Sequence, residues 1–252
     1  MQHKMEPAPG CNAFEPYTNL LVKQTTRGFI QEMMGCEALT EFRINTKTPD
    51  GKKVKDVMYA LEDSGCIMRR LCPMLHAWTM NVWTGNEASG KSVVSYERPC
   101  RAPMGPMKCC LSQEVSVKDA NGDSLGRIVE DFYYCVPRFL INGKDDKPQY
   151  ILSQPTCWGG MCINVFAEKG GLCFRVPFYI FEPGKEHVVG EQSGKIVKKF
   201  SGGKELYTDA DNFKLKFPVH ELNGNKALLL GSVFLINQLM FESDHKRMRG
   251  YR

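Results

Sequence analysis

Ala227-Leu228-Leu229-Leu230-Gly231-Ser232-Val233-Phe234-Leu235-Ile236-Asn237-Gln238-Leu239-Met240-Phe241 is the only long apolar run in the chain. Asn223-Gly224-Asn225 just ahead supplies a turn and a candidate N-cap, which predicts a helix over about 225–241. Its apolar residues, Leu228, Leu229, Leu230, Val233, Phe234, Leu235, Ile236 and Leu239 among them, fall on nearly every side rather than on one stripe. A helix that is apolar all round lies either in a large core or in a membrane. Length and polarity separate the two. A bilayer span takes about 20 apolar residues. This run is shorter and carries Asn237 and Gln238. An unpaired amide pair in lipid costs on the order of several kcal/mol. Inside a protein both amides find partners. The run therefore reads first as a buried core helix and second as a membrane span.

The sequence upstream supplies strands to surround such a helix. Thr40-Glu41-Phe42-Arg43-Ile44 alternates, Pro49-Asp50-Gly51 turns the chain, and Val57-Met58-Tyr59-Ala60-Leu61 returns. Trp78-Thr79-Met80-Asn81-Val82 is apolar at every second position. A polar, Gly-containing link from Thr84 to Lys91 leads into Val93-Val94-Ser95-Tyr96. Val115-Ser116-Val117 meets Asn121-Gly122 and returns through Leu125 to Val129. Phe139-Leu140-Ile141 meets Asn142-Gly143 and returns at Tyr150-Ile151-Leu152. Asn-Gly between alternating runs is the strongest short hairpin signal. Evenly spaced hairpins favour a barrel or sandwich. Helical signal is scarce elsewhere; Gly28 to Leu39 is expected to hold a short helix around Phe29, Ile30, Met33 and Met34.

At 252 residues, with 42% apolar and 24% charged residues, the chain suffices for one large core. A net charge of +5 suits an anionic membrane surface but is too diffuse to argue for nucleic acid. Residues 1–16 read as a polar tail without the apolar segment of a secretory leader. Cytosolic synthesis and reduced cysteines are then expected. Eleven cysteines cannot all pair internally, and none form a CxxC, so a structural zinc site is disfavoured. The chain has no G-x-S-x-G, Walker loop or H-E-x-x-H, and His3, His76, His187, His220 and His245 show no ligand spacing. These absences point away from the common hydrolase, nucleotide and zinc-protease chemistries.

Thr208-Asp209-Ala210-Asp211-Asn212-Phe213-Lys214-Leu215-Lys216-Phe217-Pro218 precedes the apolar run. Carboxylates at alternate positions begin a loop for a hard cation. On an EF-hand-like register Asp209 and Asp211 supply carboxylates, and Phe213, Leu215 and Phe217 supply backbone positions. Lys214 stands where such a loop wants glycine, and His220 where it wants an acidic closing ligand. The alternation of Phe213, Leu215 and Phe217 equally describes a strand. Both readings stay open.

Five segments together resemble the phospholipid scramblase family. They are Ala60-Leu61-Glu62-Asp63-Ser64-Gly65, Tyr96-Glu97-Arg98-Pro99-Cys100-Arg101 and Cys109-Cys110-Leu111-Ser112-Gln113-Glu114-Val115. The others are Val188-Val189-Gly190 through Gly194-Lys195-Ile196 and Lys198, and Thr208 to Phe213 with Phe217-Pro218, Phe234-Leu235-Ile236 and Phe241-Glu242. Their order spans about Leu20 to Glu242. The resemblance implies a mainly β, tubby-like fold: a closed twelve-stranded barrel over 17–242 around a hydrophobic C-terminal helix, followed by a basic tail over 243–252. The same family is also described as spanning the membrane through that helix.

The resemblance further implies calcium-stimulated, ATP-independent, bidirectional movement of phospholipids between leaflets, a step that breaks no bond. It implies a calcium ion at Asp209, Asp211, Phe213, Leu215 and Phe217. It implies acylation candidates at Cys109, Cys110 and Cys100, spread here by two prolines. A plasma-membrane location on the cytosolic face follows, with phospholipids and anionic membrane as partners. Gly194 to Phe200 is similar to a nuclear-import segment in a relative, which makes Lys195, Lys198 and Lys199 candidates for importin and a nuclear pool. An anionic-lipid-binding adaptor without transport activity is the competing reading.

Overall fold

The computed structural model describes residues 12–26, 39–48, 50–65, 77–101, 112–133, 135–157, 162–164, 166–167, 175–185, 192–199, 212–219 and 221–242. The helix expected over 28–39 lies outside these residues. In chain order the strands are β1 (Asn19–Thr26), β2 (Thr40–Lys47), β3 (Lys53–Asp63), β4 (Trp78–Thr84), β5 (Val94–Arg98), β6 (Glu114–Asp119) and β7 (Ser124–Glu130). They continue as β8 (Arg138–Asn142), β9 (Pro148–Ser153), β10 (Thr156–Cys157), β11 (Cys162–Ile163), β12 (Arg175–Phe181), β13 (Gly194–Lys199) and β14 (Asn212–Lys216). Helix α1 spans Asn223–Asn237 and runs on into a π-helical turn at Gln238–Glu242.

Twelve strands close into one barrel in the order β1-β14-β13-β12-β9-β8-β7-β6-β5-β4-β3-β2, and β10 pairs with β11 outside it. The pairings are antiparallel, and β1 seals the ring by pairing with both β14 and β2. Closure leaves no unpaired edge. Alternation sets the faces: Trp78, Met80 and Val82 on β4, Val94 and Tyr96 on β5, and Val115 and Val117 on β6 are buried toward the lumen.

Two glycines shape the wall. Gly122 takes φ +89° at the turn between β6 and β7, as the Asn121-Gly122 signal requires. Gly126 takes φ +141° where β7 nears β8, and a Cβ there would stand 2.1 Å from the Asn142 carbonyl oxygen. Only a residue without Cβ fits.

The lumen is filled by α1. Leu228, Leu229, Leu230, Val233, Leu235 and Ile236 are wholly buried. The helix is apolar all round because barrel wall surrounds it on every side. Each such side chain contributes about 1.5–3 kcal/mol over leaving it in water, so withdrawing the helix would cost on the order of 10 kcal/mol or more. That is comparable to the whole stability of an ordinary domain. The helix and the barrel therefore stand or fall together. The expected N-cap is corrected: Leu222 holds that position without a side-chain hydrogen bond, and Asn223-Gly224-Asn225 belongs to the first turn. Phe14, in a 3-10 turn at Asn12–Phe14, is fully buried in the core.

Candidate functional site

Polar contacts fix α1 inside the wall at three levels. In its first turn the Lys226 ammonium is buried and donates to the carbonyls of Phe14 (3.2 Å), Glu15 (3.2 Å) and Tyr17 (2.9 Å), stapling the N-terminal turn to the helix. Burial pushes this amine down, against the opposing pull of Glu221 and Glu15. Glu221 accepts from the Tyr150 hydroxyl, the Leu222 amide (2.9 Å) and Asn225 Nδ2 (2.8 Å). The Tyr150 phenol is pushed well up, by burial first and by Glu221 second.

Midway, the Tyr96 hydroxyl donates to the Ala227 carbonyl at 2.8 Å. The Phe234 ring packs between Phe42 (4.9 Å) and the edge of Tyr96 (5.3 Å). At the far end both helix amides find partners. Asn237 Nδ2 donates to Gln24 Oε1 at 3.1 Å, and Gln238 Oε1 accepts from the Trp78 indole N–H.

Phe213 and Leu215 are strand residues, and Phe217 stands just past the strand end. Phe213 and Leu215 lie in β14, Phe217 follows it, and all three face the core. β14 is paired on both sides, with β1 and β13, and the Phe217 amide donates to the Thr18 carbonyl at 3.1 Å. Of the two readings left open by the sequence, the strand describes Phe213 and Leu215, whose backbone is paired within the barrel. Asp209 and Asp211 lie outside the described residues, and no cluster of three or more His, Cys, Asp or Glu able to hold a metal occurs among the described ones.

Lys195, Lys198 and Lys199 share β13, a strand paired with β12 and β14. Lys199 is exposed and Lys195 half-buried, but Lys198 points inward. Its ammonium lies 3.8 Å from the centre of the Phe241 ring and 5.5 Å from that of Phe213. Such cation–π contacts help to hold a desolvated cation. The three lysines thus do not form one surface epitope in the folded barrel. A cleft of about 430 Å³ opens between β3 and β6, lined by Asp63, Thr79, Glu97, Arg98, Glu114 and Ser116. Its carboxylates disfavour a phosphate there.

A family model described as Scramblase matches residues 3–243. The chain belongs to the scramblase family. Phospholipid scramblase 1 of Rattus norvegicus is 30% identical over 84% of this chain and 58% of its own length. Phospholipid scramblase 1 of Homo sapiens is 30% identical over 84% of the chain and 62% of its own. Phospholipid scramblase 2 of Bos taurus is 28% identical over 93% and 72%. The chain thus spans about three fifths of the length of the scramblase 1 relatives it matches. No solved structure matches.

Within the family frame, Cys100 is exposed just after β5, while Cys109 and Cys110 lie outside the described residues. No helix among the described residues is long and apolar enough to cross a membrane. The residues that hold α1, namely Lys226, Tyr96, Trp78 and Gln24, are not singled out by the sequence. Their partners lie far away in the chain, and no spacing marks them. The one available signal is a polar residue set inside an apolar run, as Asn237 and Gln238 are.

Proposed function

We propose that this chain moves phospholipids between leaflets, without ATP, in both directions and in response to calcium, from the cytosolic face of the plasma membrane. The family match over residues 3–243, with relatives named phospholipid scramblases, carries this reading. The transfer breaks no bond and asks for no nucleophile. Calcium would be held by Asp209 and Asp211, immediately ahead of β14 in sequence. Acyl chains on Cys109 and Cys110, with Cys100 as a third candidate, would supply the anchor. One chain gives only marginal binding, so a second signal is needed. A nuclear pool would require importin to read Lys195, Lys198 and Lys199, with Lys198 freed from the lumen.

One observation favours a second reading. Because α1 fills the lumen, the described residues leave lipid no route through the barrel, and any headgroup that crosses would do so along its outside. An adaptor that binds anionic lipid without moving it uses the same exterior. Purified chain in liposomes carrying a fluorescent lipid decides between them, by dithionite quenching with and without calcium. Calcium-dependent loss of the protected inner-leaflet signal, abolished by Asp209→Ala/Asp211→Ala, supports scrambling. No loss beyond protein-free liposomes, with binding to anionic vesicles intact, refutes it in favour of the adaptor.

A further inference from the structure

The outer wall formed by β13, β14, β1, β2 and β3 gathers seven lysines: Lys23, Lys47, Lys53, Lys195, Lys199, Lys214 and Lys216. Lys195 stands opposite Lys216, and Lys216 opposite Asn19. Asn19 bonds the backbone of Lys47 through both side-chain ends, at 3.2 Å each, and Lys47 stands opposite Lys53. A parallel row runs Arg175–Lys199–Asn212–Lys23–Arg43. Lys214 sits between the rows, opposite Val197 and Leu21.

Directly opposed like charges destabilise a sheet. The wall does little to offset them. The carboxylates of Glu41 and Asp56 approach Arg43, at 3.6 and 3.9 Å. Among the described residues none comes within 4.0 Å of Lys23, Lys47, Lys199, Lys214 or Lys216. Burial pushes the Lys214 amine down, and Lys199, Lys47, Lys195 and Lys216 push it further. A row of opposed cations in which Lys23, Lys47, Lys199, Lys214 and Lys216 have no carboxylate that close among the described residues fits an external anionic surface. The adjoining rim adds apolar contacts: Pro218 packs beside Gly194, and Val219 and Leu222 just beyond are 77% and 50% exposed. Exposed apolar residues beside a cluster of lysines suit a bilayer interface better than a nucleic-acid backbone.

We propose that this five-strand lysine wall, with Val219 and Leu222 at its rim, is the face by which the barrel docks on an anionic lipid bilayer. The proposal deepens the membrane reading above and assigns it a side of the molecule. It leaves α1 in the lumen, because every group it uses lies on the outside or the rim.

The test is flotation of the full chain with phosphatidylcholine vesicles, with and without phosphatidylserine. Each lysine near such a surface is worth about fivefold in partitioning, and three on the order of a hundredfold. Lys199→Gln/Lys214→Gln/Lys216→Gln should therefore lose most binding to the phosphatidylserine vesicles. Its thermal midpoint should be unchanged or raised, because repulsion is relieved. Lys199→Arg/Lys214→Arg/Lys216→Arg should bind as the unmodified chain does. Val219→Asp should weaken binding even at high salt. Undiminished binding by a folded glutamine variant overturns the proposal. So does duplex DNA that displaces the chain from phosphatidylserine vesicles at equal salt, which would assign the wall to nucleic acid. Binding through these lysines without lipid movement sinks the scramblase reading and leaves the face standing. Lipid movement with binding indifferent to neutralisation does the reverse.

Discussion

Gly231→Ala reports on whether α1 lives inside the barrel, because the sign of its effect differs between environments. In an exposed helix, replacing glycine by alanine stabilises by about 0.8–1 kcal/mol. In this structure the added Cβ would stand 2.5 and 2.6 Å from Tyr96 Cε1 and Cδ1 and 2.8 Å from Ile128 Cδ1. The isoleucine methyl can swing aside. The tyrosine ring cannot, because its hydroxyl is tied to the Ala227 carbonyl at 2.8 Å and its edge packs on Phe234. Overpacking of this kind costs about 1–3 kcal/mol. Breaking the tyrosine hydrogen bond to make room adds about 0.5–1.5 kcal/mol. The helix-propensity gain offsets part of this, leaving a net loss of about 2 kcal/mol. For a chain of this size the thermal midpoint should fall by roughly 4–8 °C. Thermal unfolding followed by far-ultraviolet circular dichroism measures the midpoint, and urea unfolding the free energy. Tyr96→Phe alone should cost about 1 kcal/mol. Unchanged or increased stability of Gly231→Ala would refute the packing argument, since a helix free of the wall gains from alanine.

Tyr150→Phe should cost about 1 kcal/mol near neutral pH, the low end for a bond to a carboxylate because the pair is half-exposed. The folded phenol is held above its ordinary value, so its contribution is present below pH about 10 and fades as pH rises past it. Urea unfolding across that range should show the variant and the unmodified chain converging at high pH. Gln238→Leu strands the buried Trp78 indole N–H and should cost about 1–3 kcal/mol, with a change in tryptophan emission before unfolding. Cys109→Ser/Cys110→Ser should abolish hydroxylamine-sensitive capture of the chain on thiol resin, whereas Cys157→Ser should leave it intact; the reverse pattern would move the acylation site.

Much of the barrel is legible in the sequence because hairpins are local. The Asn121-Gly122 turn forms where expected, and Gly51 takes φ +80° at the turn into β3. The Asn142-Gly143 signal misplaces its turn. Asn142 still belongs to β8, and the left-handed residue is Asp146, with the Gly143 amide bonded to the Lys147 carbonyl at 3.0 Å. Aspartate tolerates that conformation, and no dipeptide pattern announces it. β1 and β12 escape a reading by alternation. On β12, Val176, Pro177 and Phe178 are buried in succession, so its two faces do not contrast. Helix α1 is legible as apolar on all sides, and its length and amides favour the core over lipid.

The candidate site is less legible because charge in a sequence has no direction. Nothing in the sequence marks Lys198 or Lys226 as buried, yet one lies against Phe241 and the other on three backbone carbonyls. Conversely, the lysine wall draws on five strands from both ends of the chain, and only closure through β1 and β14 brings them together.

Helix α1 should remain the core of the barrel when the protein sits on a membrane. Hydrogen exchange of the chain free and bound to phosphatidylserine vesicles tests it directly. Amides from Leu228 to Ile236 should stay protected in both states and exchange together with those of β5, β6 and β7. Loss of protection in these strands on binding, with α1 still protected in lipid, would show that the helix leaves the barrel and contradict the account.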